Sequence, residues 1–132
     1  MENCIFCKIV KGEIPSIKIW EDENHIAILD INPNTEGATL VLPKKHLDSD
    51  ATKISDNEYS KLMLAAKKVA TLLKEKLKPE KVAIVLEGME INHSHAKLYP
   101  IYKENYKGHI STQLGPQKSM EELKKVAEKI KG

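Results

Sequence analysis

The feature that most constrains the fold is one long amphipathic helical segment set among short strand-like runs. Residues 55–58 read Ser-Asp-Asn-Glu, the pattern in which the Ser hydroxyl and the Glu carboxylate each bind an orphan backbone N–H at a helix start. Pro79 follows the segment, and proline cannot continue a helix. Between these points apolar residues recur at helical spacing, which predicts a helix over residues 55–78. The apolar stripe consists of Tyr59, Leu62, Met63, Ala66, Val69, Ala70, Leu73 and Leu77.

Three strand-like segments precede this helix. Residues 17–21 alternate apolar and polar, residues 22–24 are turn-like, and residues 26–29 are continuously apolar, which predicts a hairpin. Residues 32–34 then break the pattern, and residues 39–42 predict a third strand that ends at Pro43.

Two further elements follow the helix. Residues 82–86 are continuously apolar between Pro79 and Gly88, a run too short for a helix and typical of a buried strand. Ser119 and Glu122 repeat the capping pattern, and the apolar positions behind them predict a C-terminal helix. The order of strands, helix, strands and helix predicts an α+β fold with an antiparallel sheet.

Length and charge limit the class of protein. The 132 residues support one domain over residues 1–132. The net charge of +2 is too small for a dedicated nucleic-acid binder. No run approaches the roughly 18 apolar residues of a membrane span, and residues 1–4 lack the features of a signal peptide. We therefore expect a cytoplasmic protein with no membrane partner.

The two cysteines, Cys4 and Cys7, form a single C-x-x-C pair. In a reducing compartment this spacing favours a metal clip or a redox pair over a structural disulfide. The choice between a metal clip and a redox pair depends on further ligands.

Three basic side chains follow one another at every second position, His93, His95 and Lys97. If this stretch is a strand, all three share one face, because side chains alternate along a strand. Their mutual repulsion when charged is relieved by a metal, an anion or loss of protons. The alternative interpretation is an exposed polar face of the sheet.

Five short motifs together resemble the histidine triad (HIT) nucleotide-binding proteins, over roughly residues 4–101. They are Cys-Ile-Phe-Cys-Lys-Ile-Val at 4–10, Gly-Glu-Ile-Pro at 12–15, Leu-Asp-Ile-Asn-Pro at 29–33, Leu-Pro-Lys-Lys-His at 42–46, and His93-x-His95. The resemblance implies a compact α+β subunit, usually a homodimer. It also implies hydrolysis or transfer of nucleotidyl groups through a covalent nucleotidyl-histidine, with a purine nucleotide or nucleotide conjugate as the ligand.

The resemblance implies roles for individual residues in nucleotide binding. His95 matches the nucleophile, and Asp30 matches the carboxylate that binds the ribose hydroxyls. Ile14, Ile28 and Ile31 match positions that wall the base pocket. The chemistry is reasonable in itself, because an imidazole with an ordinary pKa of about 6.5 is largely neutral at physiological pH and can attack phosphorus. The alternative role of Asp30 is to cap the turn at residues 32–33.

The resemblance also implies a structural zinc site. Zinc-containing HIT proteins and the related galactose-phosphate uridylyltransferases use a C-x-x-C pair and two histidines, and the matching residues here are Cys4, Cys7, His46 and His93. Two thiolates and two imidazoles suit a closed tetrahedral zinc site, which would clip the N-terminus to the segment that carries His95. The alternatives are two buried free thiols with unconnected histidines, or a redox pair; no βαβ unit follows to support the redox pair.

Three positions depart from the family pattern. Lys97 stands at the third triad position, where it replaces a near-neutral proton donor but can still act as a point charge on a phosphate. Residues 86–90, Leu-Glu-Gly-Met-Glu, form a shortened version of the loop before the triad. Ala38 replaces a histidine found in many members.

These features predict a nucleotide hydrolase or nucleotidyl transferase with His95 and Lys97 as catalytic residues. The alternative is a catalytically weak nucleotide-binding protein, regulatory or sensory, with structural zinc. A last group of residues either completes the site or forms an ordinary loop. It comprises Tyr99, Tyr102, Tyr106, His109 and residues 111–116.

Overall fold

A computed structural model describes residues 3–132 and shows a five-stranded antiparallel sheet with helices on both faces. The strand order is β1-β2-β3-β5-β4. The predicted α+β fold with an antiparallel sheet, one long helix and a C-terminal helix is confirmed. The elements are α1 (Ile5–Val10), β1 (Lys18–Glu21), β2 (His25–Leu29), β3 (Thr39–Pro43), α2 (Asp56–Leu77), β4 (Lys81–Val85), β5 (Ala96–Ile101) and α3 (Met120–Lys131), with short 3-10 turns at Ala51–Lys53 and Lys103–Asn105.

The long helix α2 begins and ends where the sequence predicts. The Ser55 hydroxyl accepts the Glu58 N–H at 3.1 Å. The chain leaves the helix through Lys78, which has a left-handed φ of 57°, and Pro79 follows. The helix contacts β2, β3, β4 and β5, and its inner face buries Leu62, Ala65, Ala66, Val69 and Leu73.

The C-terminal helix α3 also follows its predicted cap. Ser119 and Glu122 form the reciprocal capping box. Leu123, Ala127 and Ile130 are buried, and α3 contacts α2 and β1. Together α2 and α3 cover one face of the sheet and close the larger core.

The opposite face of the sheet carries a smaller core beneath α1. Phe6 of α1 packs with Ile26, Ile28 and Leu42 of β2 and β3. Because β2 is buried on both faces, its continuously apolar sequence is explained. Ile28 therefore points away from α2 and towards the N-terminal helix, where the candidate site lies.

Two parts of this region differ from the sequence-based expectations. The helix α1 was not predicted, although Ile5, Phe6, Ile9 and Val10 have helical spacing. The strand β5 begins at Ala96, so His93 and His95 precede it and the predicted single face for the triad residues is wrong. Here the backbone leaves the ladder, because the Ser94 N–H donates to the Leu47 carbonyl at 2.8 Å.

Within residues 3–132, none of the helices is both long enough and apolar enough to span a bilayer.

Candidate functional site

The four predicted metal ligands meet at one point, which we call the metal cluster. Cys4 caps the N-terminus of α1 and Cys7 lies within it, while His46 follows β3 and His93 precedes β5. Their ligand atoms all lie within 4.8 Å of one another. Residues far apart in the chain therefore present two sulfurs and two nitrogens to one small volume.

The distances in the metal cluster suit a tetrahedral zinc ion. The sulfur-to-nitrogen distances are 3.3 Å from Cys7 to His46, 3.4 Å from Cys4 to His93, and 3.5 Å from Cys7 to His93. Ligand atoms of a tetrahedral zinc site lie about 3.3 to 3.8 Å apart, given zinc–ligand bonds of about 2.0 to 2.3 Å. The three distances lie in this range, and all four ligand atoms lie within 4.8 Å of one another.

The protonation state of the buried His93 ring also suits a metal ligand, because it leaves one nitrogen unprotonated. Its Nε2 lies 2.8 Å from the Pro43 carbonyl, and because a carbonyl only accepts, Nε2 carries the hydrogen and Nδ1 presents a lone pair to the thiols. Burial lowers the pKa of His93, with His46 and His95 adding to the effect against the opposing hydrogen bond to Pro43. The ring is therefore neutral near pH 7.

A nearby cation would stabilise the ionised form of the two thiols. Burial raises the pKa of the Cys7 thiol, and the adjacent Cys4 raises it further. Two thiolates side by side are unfavourable unless a positive charge lies between them. The donor set, its burial and its distances thus all match a closed structural zinc site.

A pocket of about 390 Å³ opens beside the metal cluster, within the usual size range for small-molecule sites. Its walls come from α1, the end of β2, the loop before β5, and β5 itself. All six residues predicted to bind or transform a nucleotide line it. They are Ile14, Ile28, Asp30, Ile31, His95 and Lys97.

His95 is presented to this pocket with a defined tautomer. Its Nδ1 lies 2.8 Å from the His93 carbonyl and must donate to it, so a neutral ring keeps its lone pair on Nε2. The Phe6 ring packs edge-on against the imidazole, with centroids 5.0 Å apart. The hydrogen bond and the ring contact fix the orientation of the His95 imidazole.

Asp30 and Lys97 form an ion pair inside the same pocket. Lys97 Nζ lies 2.8 Å from Asp30 Oδ2, and the side chains are only 16% and 9% exposed. The other carboxylate oxygen, Oδ1, accepts the Asn32 N–H at 2.9 Å. Asp30 therefore caps the turn at residues 32–33, which was the alternative role for it, and it also lines the pocket.

The pair keeps Lys97 charged. Burial disfavours the ammonium, but the Asp30 carboxylate, with a smaller contribution from Tyr99, outweighs burial and raises the pKa of Lys97. The Tyr99 ring centroid lies 5.1 Å from Nζ. A lysine whose pKa is raised acts as a point charge at neutral pH rather than as a proton donor.

The shortened loop forms the rim of the pocket. Glu87, Gly88 and Glu90 line it, and Glu90 also lies beside Cys4 and His46. Gly88 is buried with φ of 62°, and a Cβ there would lie 2.5 Å from the Ser49 Cβ. The glycine is thus required by close packing, while the two carboxylates add negative charge to the pocket lining.

The 111–116 segment contributes to the pocket, which the sequence left open. Thr112 and Leu114 line it. The Asn34 side-chain amide donates to the carbonyls of Ser111 at 2.7 Å and Gln113 at 2.9 Å, which ties the segment to the turn after Asp30. No periodicity signals this contact in the sequence.

The aromatic residues near this segment separate into different environments. Tyr99 is buried and lines the pocket. Tyr102 donates to the Glu36 carbonyl at 2.9 Å, and burial raises its pKa to about 12. Tyr106 and His109 are exposed and line a neighbouring groove, and the buried Ala38 is not part of the pocket lining within the described residues.

This arrangement has counterparts among known proteins. A family model described as the HIT domain matches residues 11–103. An uncharacterized HIT-like protein of Methanocaldococcus jannaschii is 39% identical, over 98% of this chain and 99% of that protein. The adenosine 5'-monophosphoramidase of Schizosaccharomyces pombe is 33% identical, over 97% of this chain and 96% of that protein.

A solved structure is similar over nearly the whole chain. It is a zinc-bound histidine triad family protein from Mycobacterium smegmatis, with a TM-score of 0.79 and 28% identity, covering 98% of this chain and 91% of that one. The similarity thus extends over both the metal cluster and the pocket.

Proposed function

Because the chain belongs to the HIT domain family, as its motifs predicted, we propose that it is a nucleotide hydrolase or nucleotidyl transferase acting through a covalent nucleotidyl-histidine. The observation that carries this proposal is the His95 ring, which presents its Nε2 lone pair to a pocket that also holds Asp30 and Lys97. In this proposal a nucleophile, a partner for ribose hydroxyls and a charged lysine lie in one small-molecule site.

The reaction has two displacement steps at phosphorus. In the first, His95 Nε2 forms a bond to phosphorus and the bond to the leaving group breaks; the leaving group departs with the electron pair and takes a proton from solvent. In the second, water forms a bond to phosphorus and gives up a proton to solvent, while the Nε2–phosphorus bond breaks and its electron pair returns to Nε2, which releases the nucleotide and neutral His95. The His93 carbonyl accepts the Nδ1–H throughout and stabilises the positive charge that develops on the ring.

The pocket suits a purine nucleotide joined to a second group, such as a phosphoramidate or a dinucleotide. Its apolar walls can hold a flat base, with Ile31 43% exposed and Leu114 56% exposed at its border. Both side chains gain burial when a base lies between them. The relative named adenosine 5'-monophosphoramidase supports adenosine phosphoramidate as the first substrate to test.

The proposed metal is structural zinc held by Cys4, Cys7, His46 and His93. When bound, the ion supplies a cross-link rather than chemistry on the substrate. It would fix α1, whose Phe6 contacts His95, to the segment before β5. In this proposal the protein works in the cytoplasm, whose reducing conditions keep both thiols available.

We also propose a homodimer formed on the side of the molecule that carries α2 and β4. Leu64 of α2 is 60% exposed, and β4 is an edge strand whose apolar side chains remain half-buried. An edge strand and an exposed leucine are features that a two-fold partner would cover. Light scattering at micromolar concentration should give about twice the 14.9 kDa chain mass; the mass of a single chain would reject the dimer.

The catalytic proposal is tested by mass spectrometry of the intact protein after brief mixing with adenosine phosphoramidate, with released nucleotide assayed in parallel. Wild type should show a nucleotidyl adduct or rapid AMP release. His95→Ala should show neither, while His109→Ala, an exposed histidine outside the pocket, should behave as wild type. Wild-type turnover in folded His95→Ala would refute the covalent route.

A second function is favoured by one specific observation, the ion pair that holds Lys97 at Asp30 instead of leaving it free for a phosphate. Together with Glu87 and Glu90 at the rim, this pairing suits a protein that binds nucleotide and turns it over poorly. Nucleotide binding with neither adduct nor released product would identify such a binding protein.

A further inference from the structure

Lys97 and Asp30 form an ion pair with each other inside the pocket, where each could instead bind a ligand. Nζ and Oδ2 are 2.8 Å apart, and both side chains are largely removed from solvent. No other acidic side chain contacts Nζ as an ion pair within residues 3–132. Each residue is thus the main charge partner of the other.

One oxygen of the carboxylate is closed to a ribose in this conformation. Oδ1 accepts the Asn32 N–H, while Oδ2 is buried beside the ammonium and accepts no hydrogen bond within the described residues. A ribose diol that uses both oxygens needs access to Oδ2, and we infer that it gains this access when Lys97 moves away. The displaced ammonium would then lose its ion-pair partner in a largely buried position, which is costly.

A phosphate on the same ligand removes that cost. Lys97 lies two residues after His95 in the chain and lines the same pocket, and its flexible four-carbon stem can carry the ammonium from a carboxylate to a phosphate oxygen. The exchange keeps one opposite charge beside Nζ. It also frees Oδ2 for a ribose hydroxyl.

We propose that Lys97 is a specificity-determining residue that makes ribose recognition by Asp30 conditional on a phosphate in the same ligand. The site would then select nucleotides that carry both a phosphate and a ribose diol, and it would discriminate poorly among nucleosides. This inference rests on the proposed function, because it takes the pocket to be a nucleotide site.

The inference predicts coupling between two groups of the ligand. The ribose preference is the ratio of the dissociation constants of the 2'-deoxy and ribo forms, measured for adenosine and for AMP by NMR titration of the protein at pH 7.5. In wild type it should be about ten-fold for AMP, the effect of a hydrogen bond to a charged group. For adenosine it should be below about two-fold, a coupling of about five-fold or more.

The Lys97→Met variant tests whether the charge of Lys97 causes the coupling. Methionine fills a similar volume without charge, so Asp30 is free whether or not the ligand has a phosphate. The ribose preference should then be equal for adenosine and AMP, and the coupling should vanish. Lys107→Met removes an exposed lysine outside the pocket and should keep the wild-type coupling.

The possible results distinguish failure of this inference from failure of the proposed function. Equal ribose preferences for adenosine and AMP in wild type would overturn the inference, and this comparison needs no variant to fold. Coupling that persists in folded Lys97→Met would also overturn it. Wild type that binds neither AMP nor 2'-deoxyAMP would overturn the proposed function and the inference with it.

Discussion

His93 and His95 lie two residues apart, but their rings belong to two different regions of the molecule. His93 is buried in the metal cluster, with Nε2 bonded to the Pro43 carbonyl and Nδ1 facing the thiols. His95 borders the pocket, with Nδ1 bonded to the His93 carbonyl and Nε2 free. The same type of side chain faces the candidate metal ligands in one region and borders the pocket in the other, and in each region a backbone carbonyl selects which nitrogen keeps its lone pair.

The two regions also differ in how they handle charge. The metal cluster gathers four ligand atoms that could hold a cation. In the pocket, the opposite charges of Lys97 and Asp30 neutralise each other. The first region is therefore expected to control stability through metal binding, and the second to control affinity through exchange of ion-pair partners.

The largest expected effect comes from replacing the two histidines separately. His93→Ala should abolish zinc retention and lower the free energy of unfolding by roughly 3 to 5 kcal/mol, as loss of a metal site does. His95→Ala should keep zinc and most of the stability but lower kcat by about 10³-fold or more. Metal analysis, denaturant unfolding and AMP release measure the three quantities.

Two controls test whether the lost stability of His93→Ala comes from the loss of zinc. Cys7→Ser removes a ligand with little change in volume and should reproduce the loss of zinc and stability, as should a chelator added to wild type. Freshly purified wild type that holds no zinc and is fully stable would contradict the metal cluster. A His95→Ala variant that also loses zinc would contradict the separate roles proposed for the two histidines, His93 as metal ligand and His95 as nucleophile.

An effect of intermediate size is expected from pH. Zinc binding displaces the proton of Cys7, whose pKa is raised by burial, so zinc affinity should rise about ten-fold per pH unit for each proton released. The raised pKa of Lys97 means that its charge is lost only when the pH exceeds the ordinary lysine value of about 10.4.

AMP affinity should accordingly change by less than about two-fold between pH 7 and 9, since a phosphate monoester is largely ionised above its second pKa of about 6. Competition with a zinc-binding dye and NMR titration measure the two affinities over the same pH series. Zinc affinity that stays constant with pH, or AMP affinity that falls steeply, would remove this contrast between the regions.

The smallest expected effect concerns the outer wall of the pocket. Leu114→Ala should weaken AMP binding about five-fold, the free energy of burying part of a leucine side chain, and should leave ribose 5-phosphate affinity unchanged. Ile110→Ala alters an exposed apolar residue of the same stretch that does not line the pocket, and should change neither. Equal weakening of both ligands by Leu114→Ala would show that the segment does not contact the base.

The predictable parts of the molecule are those with local signals. Ser55 and Ser119 cap α2 and α3 where the capping pattern placed them, and the strand predicted over residues 82–86 is β4, Lys81–Val85. The four predicted metal ligands lie close together and the six predicted nucleotide-site residues line one pocket, while their roles stay predictions. The short helix α1 was missed because six residues offer too few turns for a periodic pattern to stand out.

What the sequence by itself determined was the order of elements, the fold class and the set of side chains available for chemistry, since caps, apolar spacing and motifs act over a few neighbouring residues. Only the tertiary structure decided how those side chains are used. The start of β5 at Ala96 sends His93 and His95 to different regions, and the Pro43 and His93 carbonyls select their tautomers. Asp30 pairs with Lys97 because β2 and β5 both flank β3, an adjacency created by long-range sheet pairing that no local pattern encodes.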